Sequence, residues 1–230
     1  MISVLVPWRS NDEHRIRAWH YNRLRWQKLP VQLCVSGDGR ASGPFSVSRA
    51  VNRARREATG DILAIFGADH VPPGLAKLAW IKQRLAEVPW SGVYAISLLI
   101  NEGGTARVID EGMPPAIMAS LRSTAVGVCE GILAIRAAVW DDLGGMDERF
   151  EGWGAEDTAL RTALKALYPD GRLDGEGEAW ALYHPDAPRG ELTRANVSRY
   201  DEYLAAVAAG RMREYLQEVR RDGPGDDRRP

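Results

Sequence analysis

Three short β-rich runs, Ile2–Val6, Val31–Val35 and Ile62–Phe66, alternate with two stretches that carry the apolar spacing of helices, Asp12–Lys28 and Ser46–Ala58. Strand, helix, strand, helix, strand within the first ninety residues leaves few architectures open. Neighbouring parallel strands need a crossover of a dozen or more residues, and a helix packed back onto the sheet supplies it. Ile62-Leu63-Ala64-Ile65-Phe66 is apolar without alternation, as expected of a strand covered on both faces. The expectation is an α/β chain with a mostly parallel central sheet flanked by helices, in a single domain. Ligands of such sheets bind outside the carboxyl ends of the strands. Pro7-Trp8-Arg9, Ser36-Gly37-Asp38 and Gly67-Ala68-Asp69-His70 follow the three runs and are the first places to look.

Later elements are less regular. Pro72-Pro73 opens a helix running to about Glu87, since proline is tolerated in a first turn. Gly92–Leu99 reads as a strand, Asn101–Met113 as a polar connection and Ala116–Ser123 as a short helix. Val126–Ile135 contains a strand, with Gly131 at a point of close backbone approach, and Ala137–Leu143 is a short helix. Gly177–Tyr183 reads as a last strand ending at His184. Asn196 to about Arg220 is helical, bent near Gly210. Residues 1–220 are expected to form the domain and 221–230 a mobile tail.

Composition narrows the function. With 30 basic and 31 acidic residues the chain has a formal charge of -1, which argues against a general nucleic-acid or membrane-surface binder. The only apolar run at the N-terminus, Ile2–Val6, is too short for a signal peptide or a membrane span. Cys34 and Cys129 lie in apolar stretches and read as reduced, buried thiols of a cytoplasmic protein. Neither has the histidine neighbours of a zinc site.

The most distinctive stretch is Phe150-Glu151-Gly152-Trp153-Gly154-Ala155-Glu156-Asp157, followed by the helical pattern Thr158–Leu167. Glycines on both sides of a large ring let the backbone turn sharply beside a ligand. Two adjacent carboxylates then enter a first helical turn, where the helix dipole favours them.

Gly152-Trp153-Gly154-Ala155-Glu156-Asp157 resembles the Gly-Trp-Gly-x-Glu-Asp signature of the β-1,4-galactosyltransferases and the matching segment of the polypeptide N-acetylgalactosaminyltransferases. Both groups are nucleotide-sugar-dependent glycosyltransferases of the GT-A fold, a Rossmann-like nucleotide-sugar-binding fold. The resemblance implies a cation, Mn2+ or Mg2+, and a UDP-sugar donor, with galactose or N-acetylgalactosamine favoured. Phe66-Gly67-Ala68-Asp69-His70 stands where the family has Asp-x-Asp. The first acid is replaced by Gly67, and the second, Asp69, inherits the metal, with His70 as an assistant. His184 matches the family's late metal-binding histidine. Pro7-Trp8-Arg9 is similar to the family's Pro-Phe-Arg and Ser48-Arg49-Ala50 to its Asn-Arg-Ala, which places Pro7, Arg9 and Arg49 near the nucleotide. Asp38 matches an acid that accepts a hydrogen bond from uracil in related family-2-type enzymes. Trp153 belongs to the donor site on the same grounds, and Gly131, the point of close backbone approach, is assigned to it as well. Asp157 becomes the general base of an inverting transfer and Glu156 the acceptor binder.

Other uses of these residues stay open. Asp69 also suits the cap of the following helix, and Asp38-Gly39 also suits an ordinary turn. Nucleotidyltransfer uses a similar sheet, although with a Gly-rich loop where this chain has Pro7-Trp8-Arg9-Ser10. A non-catalytic sugar-nucleotide-binding module is consistent with the missing acid at position 67. The acceptor, a glycan, protein or other hydroxyl-bearing molecule, would lie against the loops Asn101–Met113 and His184–Arg194.

Overall fold

The computed structural model describes residues 1–115, 131–185 and 189–222, together with the backbone of residues 122–128. Strand β1 (Ile2–Pro7), helix α1 (Glu13–Trp26), strand β2 (Gln32–Ser36), helix α2 (Val47–Glu57), strand β3 (Ile62–Ile65) and helix α3 (Leu75–Glu87) follow in order. Strands β4 (Trp90–Gly92) and β5 (Ile96–Ile100) and helix α4 (Glu102–Asp110) come next. Strands β6 (Arg122–Val128) and β7 (Leu133–Arg136) lead to helices α5 (Ala137–Leu143) and α6 (Glu156–Leu167). Strand β8 (Glu178–Ala181) and helices α7 (Glu191–Ala208) and α8 (Met212–Asp222) complete the chain.

The main sheet has the order β2-β1-β3-β7-β4. Strand β1 is parallel to β2 and β3, while β7 runs antiparallel to both β3 and β4. Alternate residues of β1 and β3 feed two cores. Leu5, Leu63 and Ile65 face Val51, Trp140, Leu160 and Tyr203, while Val4, Val6, Ile62 and Ala64 face Trp19, Trp26, Leu78 and Ile81. Burial on both faces explains the unbroken apolar runs. A second sheet, β6-β5-β8, pairs β5 antiparallel with β6 and parallel with β8.

Four expectations need correction. The apolar run Gly92–Leu99 is not one strand: the chain leaves the main sheet at Gly92 and enters the small one at Ile96, where Ala95 N donates to Gly177 O. Asn101–Met113 holds helix α4, because the Asn101 side chain caps Gly104 N at 2.8 Å and Val108 is buried, outweighing the glycine pair. Helix α3 begins at Leu75 after an extended Pro72-Pro73. Helix α7 begins at Glu191 rather than Asn196, and the bend falls at Gly210, whose φ of 67° is left-handed.

The Ala116–Ser123 helix falls mostly outside the described residues, with its last two residues in β6. Cys129 lies outside them too. Cys34 is a free, buried thiol whose pKa burial pushes up. Helix α8 carries Arg221 and Asp222, and the rest of the expected tail, 223–230, is outside the described residues. Among the described residues no helix is long and apolar enough to cross a membrane.

Candidate active site

Asp69 sits just beyond β3 in a turn held from two sides. His70 N donates to Gly67 O, and the fully buried Asn22 of α1 donates from Nδ2 to Ala68 O at 2.9 Å. On the other side the turn is laced to the end of β8: Val71 N donates to Trp180 O at 2.8 Å and Leu182 N to Asp69 O at 3.0 Å. That pairing carries His184 to the carboxylate, with Nε2 3.5 Å from Asp69 Oδ2. His184 Nδ1 lies 2.9 Å from both Pro185 O and the Arg15 guanidinium. Burial alone would raise the Asp69 pKa. The His70 and His184 imidazoles outweigh it and hold the carboxyl well below its ordinary range. Burial would lower the His184 pKa, but Asp69 overrides that and raises it. Asp69 does not cap α3, whose N-cap is Gly74 with no side-chain bond.

Strand β7 brings the acidic turn to the same place. It pairs with β3 through Ile65 opposite Leu133, and continuing that register sets Gly131 across from Gly67. A Cβ built on Gly131 would stand 3.7 Å from Asp157 Oδ2. Asp69 and Asp157 therefore belong to one end of one sheet. Asp157 Oδ1 accepts from Thr158 N at 2.7 Å. Burial and the adjacent Asp157 push the Glu156 pKa up to about 7, and Glu156 Oε2 is buried without a hydrogen-bond partner. Neighbouring residues on a helix point in different directions, so the two acids face different surroundings.

Asp38, fully buried, is no ordinary turn residue. It accepts from Ser46 N at 3.2 Å and Arg40 Nε at 3.0 Å, and it lies 3.2 Å from the Arg9 guanidinium. Burial opposes ionisation, but these donors lower its pKa. Arg9 also donates to the carbonyls of Arg40 and Gly43, at 2.9 and 2.7 Å. Arg49 reaches toward Asp38 O at 3.4 Å and Glu148 at 3.9 Å. Both arginines thus organise the loop after β2. Pro7 ends β1 opposite Ser36.

The tryptophan turn is joined to that loop. Arg40 pairs with Glu151 at 2.6 Å, Ser46 Oγ donates to Phe150 O at 2.8 Å and Gly152 N donates to Phe45 O at 2.8 Å. From the far side the buried Asn196 of α7 donates to Glu151 O at 2.9 Å and Trp153 O at 3.3 Å. Gly152 and Gly154 have φ of 69° and 110° and Ala155 has 68°, an uncommon value for a residue with a Cβ. Trp153 is left 47% exposed, with the Arg189 guanidinium 4.5 Å from its ring centre.

The structure brings Asp69 together with His184, Gly131 with Asp157, and Arg9 and Arg49 with Asp38. Sequence reasoning missed Arg15, Asn22, Arg40, Glu151 and Asn196. Asn22 and Asn196 carry a readable signal, a polar side chain on the apolar face of a helix. A cleft of about 330 Å³ is lined by His14, Arg17, Glu102, Thr105 and Tyr183. Among the described residues no group of three or more His, Cys, Asp or Glu side chains could hold a metal ion. His184 Nε2 and His70 Nδ1 each stand 3.5 Å from an oxygen of the Asp69 carboxylate.

Residues 118–168 match the family model described as the N-terminal domain of galactosyltransferase. No curated protein sequence matches the chain. Among solved structures, Mycobacterium tuberculosis glucosyl-3-phosphoglycerate synthase in complex with Mn2+ and UDP-glucose aligns with a TM-score of 0.51 at 14% identity, covering 92% of this chain and 79% of that one. The fold is that of the GT-A glycosyltransferases. A second structure of the same mycobacterial enzyme aligns with a TM-score of 0.50 at 12% identity, over 91% of this chain and 81% of that one. A Drosophila β-1,4-galactosyltransferase 7 mutant, in complex with manganese, UDP-Gal and xylobiose, aligns at 0.40 and 14% identity over 69% of this chain. The chain spans 58% of that fly protein.

Proposed function

We propose that this GT-A chain is a metal-dependent glycosyltransferase that moves a sugar from a UDP-sugar to an acceptor hydroxyl, with inversion of configuration and galactose or N-acetylgalactosamine as the sugar. What supports the reading is that the Asp69–His184 pair and, through Gly131, Asp157 lie beyond the same end of the β3–β7 pairing. The galactosyltransferase family model over residues 118–168, and the Mn2+ and UDP-glucose of the mycobacterial neighbour, support the reaction class and the donor class.

Asp69 and His184 would hold Mn2+ or Mg2+, which when bound neutralises the departing diphosphate. Asp38 and the Arg9 and Arg49 guanidinia line the nucleotide side, where planar forks suit phosphate oxygens. Pro7 and Gly131 let the donor approach the backbone. Trp153 covers the sugar from the turn between the glycines. Asp157 takes the proton of the attacking hydroxyl, and Glu156 holds a second acceptor hydroxyl. The cleft between α1 and α4, lined by His14, Arg17, Glu102, Thr105 and Tyr183, would take the acceptor. Residues 1–220 act as one catalytic domain, and the buried free thiol of Cys34 suits a cytoplasmic setting.

A panel of UDP- and GDP-sugars with Mn2+, scored for nucleoside diphosphate release, tests the reaction. Cation-stimulated UDP release from UDP-galactose or UDP-N-acetylgalactosamine is expected. UDP-sugar binding without release would instead identify a non-catalytic module. The anomeric configuration of the product, read by NMR, tests the base assignment, and retention would overturn it.

A further inference from the structure

Several cations along α1 and at the strand tips have an acid opposite them. Arg17 pairs with Asp110, His14 stands 3.9 Å from Glu102, Arg9 lies 3.2 Å from Asp38, and Arg40 is shared between Asp38 and Glu151. Arg15 is half-buried and has no acid partner among the described residues. Its guanidinium meets another base instead, with Nη2 2.9 Å from His184 Nδ1. Asp12, one turn back, is spent on the backbone: it accepts from the Arg15 N–H at 2.9 Å as the cap of α1. Arg15 also stands in the first turn of that helix, where the dipole disfavours a cation.

The contact with His184 is a poor one. A guanidinium carries donors only, so it needs the lone pair of Nδ1. Pro185 O stands 2.9 Å from the same nitrogen and needs its proton. Whichever tautomer the ring takes, one contact sets donor against donor or lone pair against lone pair. A half-buried cation with such a neighbour and no acid is unfavourable unless an anion completes it. On the other side of the ring His184 Nε2 is 3.5 Å from Asp69 Oδ2. The unmatched charge therefore stands at the carboxyl end of the parallel strands, where ligands of such sheets bind.

From this arrangement we infer that Arg15 binds the diphosphate of the donor, its guanidinium leaving His184 for phosphate oxygens. The inference rests on the glycosyltransferase reading above. The planar fork suits two phosphate oxygens at once, and its charge does not depend on pH. No group of three or more His, Cys, Asp or Glu side chains among the described residues could hold a metal ion, so a fixed cation has diphosphate charge to neutralise here. In the transfer the bond between the sugar carbon and the diphosphate oxygen breaks, and its electron pair stays with the diphosphate. The acceptor oxygen bonds the same carbon and gives its proton to Asp157. Arg15 neither gives nor takes a proton; it stabilises the charge that gathers on the leaving group.

The test titrates uridine, UMP and UDP separately into the full native chain, Arg15→Met and Arg15→Lys by calorimetry, and follows UDP release from UDP-galactose with Mn2+. Arg15→Met should bind UDP about tenfold or more weakly, bind uridine as the native protein does, and release UDP with a kcat lowered about 100-fold. Arg15→Lys keeps the charge without the fork and should recover part of both losses. Circular dichroism establishes that the variants fold. Native UDP affinity in folded Arg15→Met would overturn the inference while leaving the glycosyltransferase reading intact. Equal losses for uridine, UMP and UDP would make Arg15 a structural residue and overturn it as well. A native protein that binds no UDP would overturn both.

Discussion

Asp69 and Glu156 are both withdrawn from bulk water at the carboxyl end of one sheet, yet their surroundings act in opposite directions. Two imidazoles flank Asp69 and keep it ionised against the effect of burial. Glu156 has burial and an adjacent acid and no compensating partner on Oε2, and its pKa rises to about 7. A pair of carboxyls driven apart in this way can divide labour, one as a fixed anion for a cation and one as a group that exchanges protons near neutrality. The contrast extends to the backbone. The Asp69 turn is laced into β8 and α1, whereas the acidic turn passes through three left-handed residues, Gly152, Gly154 and Ala155.

The comparison breaks most sharply at Asp157. Replacing Asp157 by Asn should reduce transfer by roughly 100- to 10,000-fold, the range for a lost general base, with UDP binding unchanged by calorimetry. Equal losses of binding and transfer would put Asp157 on the donor side instead. Next in size is Asn196→Ala. It strands the carbonyls of Glu151 and Trp153 and should lower stability by about 2–3 kcal/mol in a denaturant melt, with a Trp153-dependent fluorescence change. An unaltered melt would show that α7 does not hold the turn.

The opposed pKa shifts give a pH test with signs fixed in advance. The Asp69 contribution is present above the ordinary carboxylate range and is lost as pH falls through its depressed folded value. Glu156, raised from 4.5 to about 7, contributes fully below 4.5 and loses that contribution as pH rises through 7. Glu156→Gln should therefore gain about 1–2 kcal/mol relative to the native chain between pH 5 and pH 8, read from thermal melts at the two values. A difference that does not change with pH would remove the contrast with Asp69. The smallest effect belongs to Ala155. Its φ of 68° suits glycine, so Ala155→Gly should stabilise by about 0.5–1 kcal/mol, the left-handed penalty less the flexibility of glycine. Destabilisation in a melt would mean that the methyl group's packing against the core dominates.

Much of this layout was legible because the strands announce themselves. Continuous apolar runs at Ile2–Val6 and Ile62–Phe66 mark strands buried on both faces, and the polar residues just after them mark the strand tips. What stayed hidden depends on contacts distant in sequence. Nothing local at Gly92–Leu99 shows a chain changing sheets, because both sheets need the same apolar pattern. The glycine pair in α4 reads as a loop until Val108 is seen buried. Arg40 joins Asp38 to Glu151 over 111 residues, and Asn196 reaches the tryptophan turn from a helix whose start the sequence placed five residues late. Gly67 reads as a lost acid until His70 is found in its space.

The central claim, that Asp69 anchors a cation-bridged diphosphate while Asp157 serves the acceptor, is tested most directly by titrating UDP into native, Asp69→Ala and Asp157→Asn proteins with and without Mn2+. The expected result is Mn2+-dependent UDP binding that persists in Asp157→Asn and disappears in Asp69→Ala. Equal UDP affinity in all three proteins, or binding indifferent to Mn2+, would contradict it.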